Sequence, residues 1–513
     1  MKAGRLLTLY ENIADTPDPI QRLRRFVLDL AMRGKLVPQD PNEEPSPELL
    51  QRIAAERLDQ AGLPQGWRRA KIGTVLTLQY GKGLKATERS EGGPVPVFGS
   101  NGIIGFTHEP LTVRPSIIIG RKGSAGALNL CNGPSWTTDV AYYVEAPSFL
   151  ALRFLFYALA SLNLEMLGKG VKPGLSRSEV YDQIIVIPPI AEQRRIVSKI
   201  DELMALIDRL EAARTKREAT RDKLTATSLS RLSAPNSTTF RDDARFFLSN
   251  LPALTTRADQ VKKLRQTILN LAIRGKLVPQ NPNDHPAPEF DKNVPESLER
   301  PFQVPPNWRW SRLAELGTLK GGGTPSKGRE DFWNGDIPWV SPKDMKTDYL
   351  YSTQMKITTA AVADSAVKLI EPNSLLFVVR GMILAHSFPV AISRVTLTIN
   401  QDMKALVLKE PRMAEYLLRA LKGLKAEILA QVRRSSHGTC RLDSSDYSNL
   451  LIPIPPMAEQ CRIVDKVDEL MTICDQLEAR LATVHDIRRR LLEALLVEAL
   501  EPEKIARELE AAE

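Results

Sequence analysis

The side chains in this sequence best suited to acting on a partner are cations beside glycine. Two stretches concentrate them. "GKGVKPGLSRS" at 168–178 carries Lys169, Lys172 and Arg177, and "AQVRRSSHGTCRLDSS" at 430–445 carries Arg433, Arg434 and Arg441. Others flank short glycine turns, Lys82 and Lys85 in "YGKGLK", Arg121 and Lys122 in "GRKG", Lys320 in "KGGGT" and Arg380 in "VVRGM", and Lys343 follows a proline in "SPKDM". A positive charge on a backbone lacking Cβ can approach a phosphate or a base edge closely, which makes these the candidate nucleic-acid-binding residues.

Residues for covalent chemistry are not assembled in the same way. His108, His285, His386, His437 and His485 are scattered, with no HExxH and no Cys/His cluster for a metal. "IIGRKGSAG" lacks the GxxxxGK[ST] spacing of a phosphate loop and lies among apolar strand-like runs, while "KGGGT" at 320–324 reads as a flexible turn. No convincing paired-carboxylate nuclease core is found. Cys131, Cys440, Cys461 and Cys474 form no CxxC, which argues against structural zinc and fits a reducing cytoplasm. Lys and Arg outnumber Asp and Glu by 70 to 61, a net charge of +9 that permits a nucleic-acid partner without requiring one. No apolar run approaches the roughly 20 residues that span a bilayer, so no membrane partner is expected. "MKAGRLLTLYENIADTPD" has no apolar signal-peptide core.

The elements that must position the cations are written twice. "RGKLVPQDPN" at 33–42 returns as "RGKLVPQNPN" at 274–283, and Leu23–Glu48 matches Leu264–Glu289 at 17 of 26 positions. The offset of 241 persists to Pro64/Pro305 and Trp67/Trp308. A second pair, 187–212 and 454–479, agrees at 18 of 26 positions with an offset of 267, so the second insert is 26 residues longer. The chain is an internal duplication with a shared frame and different inserts.

Periodicity gives the frame its shape. Leu23, Phe26, Val27 and Leu30 fall on one helical face, and Gly34 suits the left-handed position that closes the helix. Leu264, Thr267, Ile268 and Leu271 precede Gly275 in the same way. This segment reads as a packing helix and turn rather than as a direct substrate contact. The second frame element is a strand, "QIIVI" at 183–187, then a proline pair, with Glu192 favouring the first turn of a helix. Ile196, Ile200, Leu203, Ile207 and Leu210 then form a coiled-coil seam, as do Ile463, Val467, Leu470, Cys474, Leu477, Leu481, Val484, Leu491 and Leu495. Each long helix needs an apolar partner, and its duplicate is the obvious one. The stretch Ala191–Leu232 would extend about 63 Å at ~1.5 Å per residue, nearly two turns of DNA at roughly 34 Å per turn. "RTKREATRDK" at 214–223 reads as a solvated basic face. The inserts themselves are short β-rich runs broken by Gly and Pro, such as "PVPVFGSNGIIGF", "SIIIGRKGSAGAL", "DIPWVSPKDM" and "SLLFVVRGMIL". In each insert a helical stretch and then one of the two basic loops follow.

"RGKLVPQDPNEEP", "IPPIAEQRRIV…DEL", "GGTPSKGREDFWNGDIPWVSPKDM" and "GSNGIIGF…IIIGRKGSAG" together resemble the specificity subunits of type I restriction–modification systems, from about residue 5 to 490. The resemblance implies an α+β, internally duplicated chain: two β-rich target-recognition domains separated by two long helices that form an antiparallel coiled coil. The corresponding boundaries are an N-terminal helical region 1–62, recognition domain 63–188, central helix 189–233, linker and repeated helical region 234–303, second recognition domain 304–455, and C-terminal helix 456–513. It also implies a subunit without catalysis of its own, bound to double-stranded DNA at a split site. Two modification subunits would bring S-adenosylmethionine chemistry, and restriction subunits, with their ATP and Mg, can join them.

Two rival classes remain to be weighed. A methyltransferase with its own centre would need a (D/N)PP(Y/F) loop, whereas the three PP pairs read "IPPI", "VPPN" and "IPPM". A coiled-coil scaffold without DNA affinity would have no use for two elaborate inserts.

Overall fold

A computed structural model describes residues 18–170, 173–233, 239–290, 300–434 and 438–500. Its contacts divide the chain into two compact units, with breaks after Arg217 and after Thr483. Both breaks fall inside long helices. The first part of one helix (α3 below) and the last part of the other (α6) belong to the first unit, and the converse holds for the second.

In the first unit, helix α1 (Pro19–Met32) buries Leu23, Phe26, Val27 and Leu30, the face expected from their spacing. Gly34 then takes φ +68°, and its counterpart Gly275 takes +65°. The insert opens with β1 (Arg68–Lys71), which pairs antiparallel with β9 (Ile184–Ile187) and so ties the two ends of the insert together. Between them lie β2 (Gln79–Tyr80), β3 (Val95–Phe98), β4 (Ile103–Thr107), β5 (Ser116–Gly120), β6 (Leu128–Cys131), β7 (Trp136–Thr137) and β8 (Ala141–Val144). They form a four-stranded sheet in the order β2-β8-β5-β6 and a three-stranded sheet β4-β3-β7. Helix α2 (Leu152–Ser161) covers them, and the chain then enters the long helix α3 (Ile190–Ser233).

The second unit repeats this plan with two additions, a strand (β13 below) and a small hairpin (β19–β20 below). After helix α4 (Ala258–Ile273) come β10 (Arg309–Arg312), β11 (Gly317–Gly321), β12 (Trp333–Val340), β13 (Tyr349–Leu350), β14 (Met355–Ile357), β15 (Leu375–Val378), β16 (Val390–Ser393), β17 (Thr398–Ile399) and β18 (Met403–Leu408). Helix α5 (Ala414–Gly423), the small strands β19 (Arg433–Arg434) and β20 (Cys440–Arg441), β21 (Leu451–Ile454) and the long helix α6 (Met457–Leu500) complete it. Its sheets run β11-β18-β15-β16-β13 and β14-β12-β17, and β10 closes on β21. The extra strand β13 pairs with β16 and has no counterpart in the first unit. Most of the added length lies here, since residues 341–374 stand where the first unit has 99–115.

The apolar face of α3 packs within its own half. Ile196, Ile200, Leu203 and Ile207 are fully buried, but in one core with Leu23, Phe26, Val27 and Leu30 of α1 and Phe154, Leu155 and Leu159 of α2. Among the described residues, α1 and α2 of its own half supply partners for this face. In α6, Ile463, Val467 and Cys474 are buried in the second unit's core, whereas Val484 and Leu491 further along are exposed at 41% and 46%. Among the described residues, no helix is long and apolar enough to cross a membrane.

Candidate nucleic-acid interface

The repeated decapeptide forms the joint on which each insert is mounted. Gln39 donates to the carbonyl of Gly34 at 3.0 Å and to Glu192 Oε1 at 2.8 Å, while Trp67 Nε1 donates to Glu192 Oε2 at 2.9 Å. Gln280, Trp308 and Glu459 repeat the arrangement, at 2.5 Å from Gln280 and 3.0 Å from Trp308. Glu192 is only 1% exposed, so its place in the first turn serves more than the helix dipole: it is a buried acceptor between two donors. Burial raises the pKa of Glu192 and of Glu459, and the hydrogen bonds from Trp and Gln oppose that rise. Ion pairs outside the joint are duplicated as well. Arg24 bonds Asp208 and Glu211 at 2.8 and 2.7 Å, and Arg265 bonds Asp475 and Glu478 at 2.6 and 2.9 Å.

On that frame the basic loops of each insert converge. In the first unit the Leu175 N–H donates to the carbonyl of Arg121 at 2.8 Å and the Gly123 N–H to that of Pro173 at 3.0 Å. Lys122 and Lys169 both form isolated bridges with Gly174. "GRKG" and "GKGVKPGLSRS", distant in sequence, are therefore one surface. In the second unit the Leu442 N–H donates to Val379 and the Gly381 N–H to Cys440, both at 2.9 Å, and Arg380 bridges Arg441. The stretch read as a basic loop at 430–445 is in part a hairpin, with Arg433 and Arg441 directly opposed.

The individual cations are held in different ways. Arg121 donates through Nη2 and Nε to the carbonyl of Asp139 at 2.7 and 3.2 Å and lies over Tyr80 and Tyr142, 5.4 and 5.9 Å from the ring centres. Arg177 lies 5.1 Å over Tyr80 and 5.8 Å over Tyr181. Lys169 pairs with Glu179. The side chains of Lys82, Lys85 and Lys122 are exposed, and Lys172 lies outside the described residues. In the second unit Arg433 pairs with Asp443 at 3.0 Å and Asp446 at 3.5 Å, Arg441 pairs with Asp443 at 3.1 Å, and Arg380 stands 3.9 Å from Asp402. Arg434 is exposed and forms no ion pair among the described residues. Lys343 stands apart from this loop pair's hydrogen bonds and lines a cleft with Lys346, Lys422 and Lys425. Lys320 is pinned on β11 by Glu371 at 2.7 and 2.8 Å, which makes it a structural cation first.

"KGGGT" is no flexible turn. A Cβ on Gly322 would press on the carbonyls of Ile399 and Asn400, and one on its counterpart Gly81 would press on Thr137 and Thr138. Two backbones cross there, and only glycine fits. Sequence reasoning also missed the tyrosines. Tyr80, Tyr142 and Tyr181 form the bed under two arginines. The signal available was Tyr80 beside Gly81 in "QYGKG", an aromatic at the mouth of a basic turn.

Taken together, the chain is a duplicated helical frame carrying two β-rich inserts, each with paired basic loops. The sequence profile described as "Type I restriction modification DNA specificity domain" matches residues 64–221 and 305–484, and the chain belongs to that family. It is 25% identical to the Escherichia coli type I restriction enzyme EcoEI specificity subunit over 94% of each chain. To the E. coli EcoR124I/EcoR124II specificity subunit it is 37% identical over 36% of this chain and 46% of that one. A solved structure from work on complex assembly and conformational transition of the type I R-M system aligns with a TM-score of 0.53 at 19% identity, covering 85% of this chain and 98% of that one, a likeness of fold.

Proposed function

We propose that this chain reads a split, asymmetric site on double-stranded DNA, each unit contacting one half-site through its paired basic loops. On this reading the repeated frame seats two copies of one modification subunit, which carry the S-adenosylmethionine chemistry, and restriction subunits, with their ATP and Mg, can join them. The specificity subunit itself performs no covalent step. Its two long helices set the gap between the half-sites. The observation that carries the reading is the contrast within the duplication: joint residues recur down to their partners, while the groups presented at matching positions of the inserts differ. A repeated frame suits a repeated partner, and unlike surfaces suit unlike DNA words.

The test is reconstitution. The purified chain alone should bind duplex DNA in a salt-dependent manner and transfer no labelled methyl group, and methylation should appear when a modification subunit is added. Methyl transfer by the isolated chain would contradict the assignment, and so would a lack of any DNA affinity at low salt.

A further inference from the structure

We infer that Tyr80 is a positioning residue for specificity: its ring is the plate that holds the Arg121 and Arg177 guanidiniums for reading a guanine in the first half-site. The inference rests on the reading that the first unit contacts DNA.

The plate is rigid from below and open above. Tyr80 is 51% exposed, whereas its cross-strand partner Tyr142 is 2% exposed. The two rings meet edge to face, 5.0 Å apart. The Tyr142 hydroxyl donates to the carbonyl of Leu175 at 3.1 Å, and the Tyr181 oxygen accepts from the Leu78 N–H at 3.0 Å. Both neighbours of the plate are thus tied to backbone. Arg121 spends Nε and Nη2 on Asp139, but Arg177 makes no hydrogen bond to any described residue, and the contacts the described residues give its guanidinium are the faces of Tyr80 and Tyr181. A stacked guanidinium keeps its N–H edges free and loses less side-chain freedom on binding than a mobile one. A free fork of fixed orientation matches the O6/N7 edge of guanine in the major groove.

The second unit supplies an internal control. At the same register, Gly321 stands opposite Lys404 where the first unit has Tyr80 opposite Tyr142, so no aromatic plate exists there. Any effect of Tyr80 should be confined to one half-site.

The experiment uses the complex reconstituted with its modification subunit, and methylation rates on duplexes varied one base pair at a time across both half-sites. Tyr80→Ala should reduce discrimination about tenfold at a guanine position of the first half-site, the scale of one bidentate contact. It should leave the second half-site and the salt slope unchanged, and Tyr80→Phe should retain discrimination. Arg177→Lys, which keeps the charge and loses the fork, should fail at the same position. Full discrimination in Tyr80→Ala alongside a loss in Arg177→Lys would overturn the role of the plate. Equal damage to both half-sites, with no rescue by Phe, would show a structural role instead and overturn it too. A wild-type complex with no split motif would remove the functional reading itself, and the inference with it.

Discussion

The two units build one backbone with different chemistry at matching positions. In the first, Arg121 and Arg177 rest on tyrosine faces. In the second, Arg433 and Arg441 share Asp443, and Arg380 faces Asp402. Even an internal support has changed sides. The carbonyl of Lys82 accepts from Trp136 on β7, and the matching carbonyl of Gly323 accepts from Trp339 on β12, each at 2.9 Å. Trp136 pairs with Val97, and Trp339 with Thr398, so the indole has crossed to the neighbouring strand while its hydrogen bond stayed in place. In the frame the Gln–Glu–Trp joint and the Arg24 and Arg265 ion pairs keep their partners in both copies. The lesson is a division of labour: the joint is fixed by buried polar partners that must all be present together, whereas the inserts need only preserve backbone crossings.

That comparison can be broken at several levels, beginning with the most damaging. Leu30→Asp and Leu271→Asp each put a charge into a packed helix face, and each should cost about 3–5 kcal/mol in chemical denaturation. Similar losses in both support an equivalent frame; wild-type stability in either would mean that its face is misplaced. Gly81→Ala and Gly322→Ala test the inserts in the same way. Each forces a methyl against two carbonyls, and each should cost about 2–3 kcal/mol. A large effect in one alone would show that the crossings are not equivalent.

Glu192→Gln and Glu459→Gln probe the joint more gently. An amide can accept from only one of the two donors, so each should cost about 1–2 kcal/mol near neutral pH. Their pH dependence has a definite sign. Burial raises the carboxyl pKa in the folded chain, so the native carboxylic acid contributes stability below its ordinary value and loses it as pH rises through the folded value. The amide does not titrate, hence the wild-type advantage should narrow as pH rises from about 4.5 towards neutrality. A widening advantage would mean that the hydrogen bonds from Trp and Gln outweigh burial. The smallest effects belong to the loops. Lys169→Ala with Arg177→Ala should weaken the first half-site only, and Arg433→Ala with Arg434→Ala and Arg441→Ala the second only, with the salt slope falling by about one per lost phosphate contact. Losses spread over both half-sites would dissolve the division of labour.

The frame was legible in the sequence because its contacts are local in type and doubled. Helical spacing exposed Leu23 to Leu30, and the repeat exposed Gly34 with Gly275 and Trp67 with Trp308 as matched sets. The role of Glu192 was not legible, since its partners Gln39 and Trp67 lie 153 and 125 residues away. The match between the inserts was hidden for a different reason. Their strands are two to eight residues long, and what they keep is pairing register, not side chains, so Tyr80 and Gly321 occupy one position with nothing in common. Convergence of "GRKG" on 168–178 likewise depends on backbone hydrogen bonds that leave no compositional trace.

The central claim is that one duplicated frame holds two independent readers at a set distance, and the methylated motif tests it directly. Four residues, about one turn, would be inserted into each long helix, after Arg214 and at the matching place after Leu481, keeping the apolar seam in phase. The lengthened complex should methylate the same two half-site words with a gap longer by one or two base pairs, since roughly 6 Å of helix spans that much DNA at about 3.4 Å per base pair. An unchanged gap with full activity, or altered words, would contradict the account.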